Sequence, residues 1–241
     1  MNAQTIEKYR ALMARLDPAG SPTAQFVQRT TAPLMQAGKR LCVLDASFNP
    51  LTNAHEALIL HAQNKFGFEE TSLLLSGANV DKDLFGANLG QRLVMITDYA
   101  NADLSVAVCS HARFVDKALA LLTLCPKDTQ IYFLVGHDTL IRIFDPHYYT
   151  DMNHELQTLF ALCHIVSATR GDQGQKAFDT FMSRPESAPF ANRVHLLQLP
   201  ASFGNISSTQ IRKKIKTGAS ITHLVPPAIA QSIHALGLYT T

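Results

Sequence analysis

From about residue 40 onward, short runs rich in leucine and β-branched residues alternate with longer amphipathic segments. This alternation is expected where parallel strands are covered by helices on both faces. The predicted strands span residues 40–44, 72–75, 104–108, 131–135, 164–168 and 194–199. The predicted helices lie near residues 53–65, 90–100, 112–124, 138–144, 175–183, 209–216 and 227–235. The pattern therefore predicts an α/β fold with a doubly wound parallel sheet.

The first 37 residues lie outside this alternation. Charged residues are mixed there with apolar ones at helical spacing, which is typical neither of a signal peptide nor of a membrane span. We therefore expect a helical N-terminal extension over residues 1–37 and a main domain over residues 38–241. Within that domain, residues 169–192 contain two glycines and two prolines and are expected to form a surface excursion.

Composition narrows the classes of function. The chain has 241 residues, of which 46% are hydrophobic, enough for one sizeable core. A net charge of +2 with only 17% charged residues gives no basic block, so nucleic acid is not an expected partner. No apolar run approaches membrane length, and we expect a cytoplasmic protein with no membrane partner. The four cysteines are far apart in apolar surroundings, which favours buried free thiols.

In doubly wound sheets, ligands bind beyond the carboxyl ends of the strands. The loop after the first predicted strand, residues 46–55, reads Ala-Ser-Phe-Asn-Pro-Leu-Thr-Asn-Ala-His and leads into a helix. A helix N-terminus at this edge favours phosphate, and Thr52 and His55 lie on the same side of the first turn. The imidazole can donate to a phosphate oxygen or stabilise a departing pyrophosphate. The alternative is that Thr52 or Asn53 only caps the helix and His55 fills space.

A second candidate loop, residues 206–212, reads Ile-Ser-Ser-Thr-Gln-Ile-Arg. Ser207 and Ser208 are good N-cap residues, and Arg212 lies one turn later on the same face as Ser208 and Thr209. Hydroxyls, helix N–H groups and a guanidinium would together form a triphosphate cradle. The alternative is an ordinary capped surface helix with a basic flank.

Both loops resemble signatures of one enzyme family. Residues 46–55 resemble the pattern G-x-F-x-P-x-[HT]-x-x-H of adenylyltransferases and related nucleotidyltransferases, with Ala46 in place of the leading glycine, and residues 206–212 resemble I-S-S-T-x-I-R. The resemblance runs from about residue 40 to 240 and is strongest to the nicotinamide/nicotinic acid mononucleotide adenylyltransferase family. It implies a Rossmann-like fold with helices on both faces of the sheet.

The resemblance also implies roles for individual residues. His55, Thr52 and Arg212 would be catalytic. ATP and its phosphates would be bound by Ser47, Phe48, Lys82, Gly136, Asp138, Ser207, Ser208 and Thr209, with Asp138 on the ribose and Lys82 on phosphate. Arg92, Tyr148 and Tyr149 would bind the acceptor. From the residues alone, Asp138 could instead cap a helix and Lys82 could be solvated. The polar residues between His137 and His154 lack a recognised ligand spacing and predict a polar loop, so no protein metal site is expected.

The acceptor pocket is where the sequence departs from the family. The family stacks a pyridine ring on aromatic residues that include tryptophan, and this chain has no tryptophan. Tyr148 and Tyr149 could stack instead. The other expected aromatic position falls near Ser110 and His111, where no large aromatic residue stands.

The predicted reaction is attack by a mononucleotide 5′-phosphate on the α-phosphorus of ATP, which gives NAD or its deamido form and pyrophosphate. Mg²⁺ is expected to enter with ATP. Two alternatives stay open: a nucleotidyltransferase acting on another phosphorylated acceptor, of the cytidylyltransferase or phosphopantetheine type, and a non-catalytic nucleotide sensor, for which Ala46 is the supporting feature. The sequence assigns no oligomeric state.

Overall fold

The computed structural model describes residues 3–78, 86–170, 173–203 and 206–240. Seven strands form one sheet in the order β1-β4-β3-β2-β5-β6-β7. The strands are β1 (Ala24–Gln28), β2 (Arg40–Asp45), β3 (Glu70–Ser76), β4 (Ser105–Cys109), β5 (Gln130–Gly136), β6 (Cys163–Arg170) and β7 (Val194–Leu199). The helices are α1 (Ala3–Ala14), α2 (Asn53–Phe66), α3 (Leu89–Ala100), α4 (Phe114–Leu122), α5 (His137–Ile143), α6 (Met152–Leu162), α7 (Gln173–Met182), α8 (Ser208–Lys216) and α9 (Pro227–Ala235).

The order in which the chain adds strands to the sheet reverses at the centre of the sheet. Strands β2 to β7 are parallel to one another, and β2 pairs with β3 on one side and with β5 on the other. The chain therefore builds outward from β2 through β3 and β4, and then returns to build through β5, β6 and β7. This order confirms the predicted doubly wound, Rossmann-like sheet and puts its topological switch point between β2 and β5.

The sequence predicts a helical N-terminal segment, but in the structure this segment contains both a helix and a strand. It begins with α1, but β1 then joins the sheet edge antiparallel to β4. The buried carboxylate of Glu70 fixes the chain that follows, since it accepts hydrogen bonds from Arg29 (2.7 Å) and from the backbone N–H of Leu34 (2.6 Å). The segment 24–34 is thus tied to the sheet, and a separate helical unit over residues 1–37 stays a proposal.

Two further elements differ from the sequence prediction. Helix α6 was not predicted. The segment expected to be a surface excursion is partly built into the core, because β6 continues to residue 170 and the side chains of Phe178 and Phe181 on α7 are buried. The predicted helix in this segment is confirmed as α7.

The core lies on both faces of the sheet. Cys42 and Leu44 of β2 point into one hydrophobic cluster, and Leu41 and Val43 point into the other. This explains why β2 is a continuous apolar run rather than an alternating one. Free thiols are confirmed for the cysteines, of which Cys125 alone is half-buried, and burial raises the pKa of Cys163 to about 12. Among the described residues, none of the helices combines the length and apolarity needed to cross a membrane.

Candidate active site

A cavity of about 540 Å³ opens at the switch point, beyond the carboxyl ends of β2 and β5. Asp45 and Ala46 contribute the end of β2 and the start of the first loop, and Gly136 contributes the end of β5. This is the position where ligands bind in doubly wound sheets. The two predicted loops, residues 46–55 and 206–212, both reach the wall of this cavity.

The first loop ends in a capping box that includes His55. Thr52 is the N-cap of α2, and its hydroxyl accepts from the backbone N–H of His55 (3.4 Å). In return, Nδ1 of His55 accepts from the backbone N–H of Thr52 (3.0 Å). A neutral imidazole that accepts at Nδ1 carries its proton on Nε2. His55 also lines the cavity, so one residue both caps the helix and contributes to the site.

The second loop is joined directly to the first. The hydroxyl of Ser208 donates to the carbonyl of Pro50 (2.8 Å), 158 residues away. Arg212 donates through Nη1 to the carbonyl of Asn49 (2.6 Å) and through Nη2 to Thr209 Oγ1 (3.1 Å). These bonds bring the start of α8 beside the start of α2. Two helix N-termini thus converge at one side of the cavity, where their N–H groups favour an anion.

The serines and the arginine of the second loop occupy different places. Ser207 and Ser208 line the cavity, and Ser207 also caps α8 by accepting from the N–H of Gln210 (3.2 Å). Arg212 is half-buried, and this burial lowers its pKa, while the neighbouring Tyr239 hydroxyl opposes the shift. Arg212 therefore holds the first loop through its carbonyl as well as adding positive charge near the two helix starts.

Aromatic residues also line the cavity. Tyr148 and Tyr149 line it, as predicted for the acceptor, and the Tyr149 hydroxyl donates to the carbonyl of Ile143 (2.5 Å). Phe114, at the start of α4, lines it as well. The prediction from the sequence placed the second aromatic position near Ser110 and His111 and did not consider Phe114. Three aromatic residues thus line the cavity of a chain that has no tryptophan.

The comparisons with known proteins agree with this geometry. The Cytidylyltransferase-like family matches residues 43–214. A Schizosaccharomyces pombe protein assigned as a nicotinamide mononucleotide adenylyltransferase is 33% identical over 219 residues, which cover 83% of this chain and 86% of the relative. A Synechococcus protein assigned as a nicotinate-nucleotide adenylyltransferase is 29% identical over 209 residues, which cover 83% of this chain and 95% of the relative.

This chain belongs to the nicotinamide/nicotinate mononucleotide adenylyltransferase family. The fold agrees, since the nicotinic acid mononucleotide adenylyltransferase of Plasmodium falciparum, solved with NaAD, superimposes with a TM-score of 0.60. That match covers 83% of this chain and 97% of the Plasmodium chain at 19% identity, and it supports the fold alone. The family resemblance inferred from the two signatures is confirmed.

In this family member, several predicted site residues support the loops rather than line the cavity. Phe48 is buried, and its ring centroid lies 5.8 Å from that of His55. Thr52 is 1% exposed, which makes it a positioning residue for His55. Arg92 is 2% exposed and donates to the carbonyls of Ala87 (2.7 Å) and Ser47 (3.2 Å). Arg92 thus supports the first loop of the adenylyltransferase, and the acceptor contact expected of it stays a prediction.

The remaining predicted residues fall in three places. Ser47 is exposed and lines the cavity together with Gly136. Asp138 is exposed in the first turn of α5 and is not among the residues that line the cavity. Lys82 lies outside the described residues. In the polar loop after α5, Asp145 and Asp151 accept backbone N–H bonds at helix starts (2.9 and 3.1 Å).

Five charged residues of the cavity were missed by sequence reasoning, namely Asp45, Arg113, Lys117, Arg142 and Glu155. Asp45 and Lys117 form a buried ion pair with 2.7 Å between Oδ2 and Nζ. Arg113 and Glu155 form a second ion pair on the same wall. Asp45 carried a usable signal, because it immediately precedes the first loop. The other four lie on or directly next to α4, α5 and α6, and nothing in their local sequence sets them apart.

Proposed function

We propose that this protein joins ATP to nicotinamide mononucleotide or nicotinic acid mononucleotide and releases pyrophosphate. The observation that carries the proposal is the direct contact between the two signature loops, through Ser208 to Pro50 and Arg212 to Asn49, at a cavity that aromatic residues also line. The two helix N-termini suit a triphosphate, and the aromatic residues suit a flat ring. A dinucleotide-forming enzyme needs both in one cavity.

The chemistry asks little of the protein beyond placement and charge. An oxygen of the acceptor 5′-phosphate bonds to the α-phosphorus of ATP, and the bond from that phosphorus to the bridging oxygen breaks. The electron pair leaves with pyrophosphate. Because the nucleophile is already an anion, no general base is needed, and catalysis depends on alignment and on stabilising phosphate charge.

His55 is the residue best placed to stabilise developing charge. Its Nε2–H is fixed as a donor by the bond at Nδ1, and the N-terminus of α2 adds a favourable dipole. Ser207 adds a hydroxyl and the N-terminus of α8 adds backbone N–H groups on the same side, while Ser208 holds the two loops together through its bond to Pro50. These groups together form a cradle of donors for the triphosphate and the departing pyrophosphate.

Mg²⁺ fits this site as a companion of ATP. Within residues 3–78, 86–170, 173–203 and 206–240, no group of three or more His, Cys, Asp and Glu side chains comes together as metal ligands. The donors around Ser207, Ser208 and His55 suit phosphate oxygens, so the ion would be held by the triphosphate and water. It would supply charge neutralisation on the phosphates.

The aromatic residues of the cavity support a pyridine mononucleotide as acceptor. Phe114, Tyr148 and Tyr149 all line the cavity, and stacking on an aromatic ring suits a planar heterocycle. One relative is assigned as a nicotinamide mononucleotide adenylyltransferase and another as a nicotinate-nucleotide adenylyltransferase. A cytoplasmic location, and small nucleotides as partners with neither nucleic acid nor membrane, stay predictions from the sequence.

The test is pyrophosphate release with ATP or CTP against a panel of acceptors: both pyridine mononucleotides, phosphopantetheine, a phosphosugar and phosphocholine. We expect release with ATP and a pyridine mononucleotide only. Release with CTP, or with another acceptor at equal rate, would contradict the proposal. Binding of ATP without any release would favour a nucleotide sensor.

A further inference from the structure

We propose that the Asp45–Lys117 pair selects the amide form of the acceptor, so that nicotinamide mononucleotide is preferred over nicotinic acid mononucleotide. The inference rests on the proposed function, because it concerns the ring end of the same cavity. It names the substrate that the two signature loops leave undefined.

The pair lies beside the aromatic wall. Lys117 follows Phe114 by one helical turn on α4, and its Nζ lies 5.0 Å from the centroid of the Phe114 ring. Asp45 is the last residue of β2, and both side chains line the cavity. A pyridine ring that stacks on this wall therefore places its substituent near the pair.

The pair is well shielded from water, but not all of its hydrogen-bonding groups are used within the protein. The exposed fractions of the side chains are 5% for Lys117 and 15% for Asp45. Lys117 gives one N–H to Asp45, which leaves further donors, and Asp45 Oδ1 has a long contact of 3.4 Å to the Ser76 hydroxyl. One ammonium donor and one carboxylate acceptor are thus offered together to a ligand.

A carboxamide matches this arrangement better than a carboxylate does. An amide has one acceptor oxygen and an NH₂ donor, so it can accept from Lys117 and donate to Asp45. A carboxylate can only accept, and it would bring a second negative charge beside Asp45 in a shielded site. Selection would thus come from an attractive contact for one form and a repulsive one for the other.

The other charges around the ring do not reverse this preference. Arg113 on the same wall is paired with Glu155, so that pair adds no net charge. Arg142 also lines the cavity but is solvent-exposed, where a charge is weakly felt. A nicotinate carboxylate therefore finds no uncompensated buried cation among the described residues of this wall.

The experiment compares kcat/KM for the two pyridine mononucleotides at saturating ATP in the full-length protein. The variants are Asp45→Asn, which removes the repulsive carboxylate, and Lys117→Met, which leaves that carboxylate unpaired. Asp98→Asn and Lys65→Met make the same chemical changes at exposed positions outside the cavity and serve as matched controls. Thermal unfolding is measured for every variant, because breaking a buried pair destabilises the fold in both cases.

We expect the parent to prefer the nicotinamide form by about tenfold or more, as sites built around paired polar groups do. Asp45→Asn should shift the ratio of the two kcat/KM values toward nicotinic acid mononucleotide by about tenfold, while Lys117→Met should shift it further toward the amide. A purely structural pair would lower stability in both variants and leave this ratio unchanged.

Two results overturn the inference and leave the proposed function standing: a parent that prefers nicotinic acid mononucleotide, or two variants that shift the ratio in the same direction or not at all. If a variant does not fold, Asp45→Asn combined with Lys117→Gln restores a neutral pair, and the inference requires this double variant to lose the preference. A parent without turnover on either pyridine mononucleotide overturns the inference and the proposed function together.

Discussion

Nδ1 of His55 accepts the backbone N–H of Thr52 at 3.0 Å, and this bond serves two purposes. It closes the start of α2, where backbone donors otherwise lack partners. It also fixes the imidazole proton on Nε2, so that a ring lining the cavity acts as a donor. His55 therefore combines the two roles considered for the first loop, which are capping the helix and donating to a ligand.

Replacement of His55 by alanine should lower kcat far more than it weakens ATP binding. The proposed partner of Nε2–H is charge that develops as pyrophosphate leaves, and a contact made mainly in the transition state acts on kcat. We expect a loss of about 100-fold, the size seen when one stabilising donor is removed. Steady-state kinetics give kcat, and titration with ATP gives its dissociation constant.

His55→Gln is the matched control for the alanine variant. Glutamine at the third helical position can return the capping-box bond to the N-cap N–H, so the helix start should be kept while the imidazole is lost. Both variants should therefore be impaired in turnover, and the alanine variant alone should be clearly less stable. Activity within about twofold of the parent in either variant would refute the role of His55.

The sequence was sufficient for most of the sheet and for the two loops. The strands β2 to β7 carry strong apolar runs, and the loop contacts follow from motifs whose chemistry is local. Strand β1 was missed because Ala24–Gln28 is short and half polar, and only its pairing with β4 makes it a strand. Local pattern does not contain that long-range partner.

The ring end of the cavity was harder to predict for the same reason. Phe114, Lys117 and Glu155 lie on α4 and α6, and each looks like an ordinary helix residue in its own segment. Only the packing of these helices over β2 brings Lys117 to Asp45, 72 residues away in sequence. Tyr148 and Tyr149 were found because the family resemblance pointed to their position.

Arg212→Lys should reduce turnover clearly despite the retained charge. The guanidinium of Arg212 uses two nitrogens to hold the Asn49 carbonyl and Thr209 at once, which one ammonium cannot reproduce at the same geometry. We expect a loss of kcat/KM of about tenfold or more, measured with ATP as the varied substrate. Lys213→Arg, on the same helix, is the control, and kinetics equal to the parent for Arg212→Lys would return α8 to an ordinary capped helix.

The two tyrosines should respond differently to phenylalanine. Tyr148→Phe should keep the acceptor KM, whereas Tyr149→Phe also loses the hydroxyl bond to Ile143 and about 1 kcal/mol of stability with it. Alanine at the stacking position should raise the acceptor KM several-fold, since a stacked pair contributes about 0.5–1.5 kcal/mol beyond its buried area. The KM for ATP should not change. Normal acceptor binding in both alanine variants would remove stacking from the account.

The free energy of unfolding should fall as the pH falls from about 6.5 to 4, because of a histidine pair at the N-terminal ends of β6 and β7. Arg193 donates to His164 Nε2 (2.8 Å), and His164 Nδ1 lies 3.0 Å from His195 Nε2. Burial lowers the pKa of His164 to about 4, with smaller effects of Arg193 and His195 in the same direction. Burial also lowers the pKa of His195.

The sign follows from proton uptake. Below the ordinary pKa of histidine the unfolded chain binds protons that the folded pair refuses, so folding is disfavoured through this window and levels off below the folded pKa. Urea unfolding between pH 7 and 4 tests this. His164→Gln should flatten the dependence, and His154→Gln, at an exposed position on α6, should not. A parent whose stability is constant over this range would rule out the assignment.

The most direct test of the central claim is to identify the product formed from ATP and a pyridine mononucleotide. The purified chain is incubated with ATP, Mg²⁺ and either mononucleotide, and the products are separated and weighed by mass spectrometry. The account predicts one dinucleotide and one pyrophosphate for each ATP consumed, with product formed about 100-fold more slowly by the His55→Ala variant. Consumption of ATP without a dinucleotide, or transfer of the adenylyl group only to a non-pyridine acceptor, would contradict it.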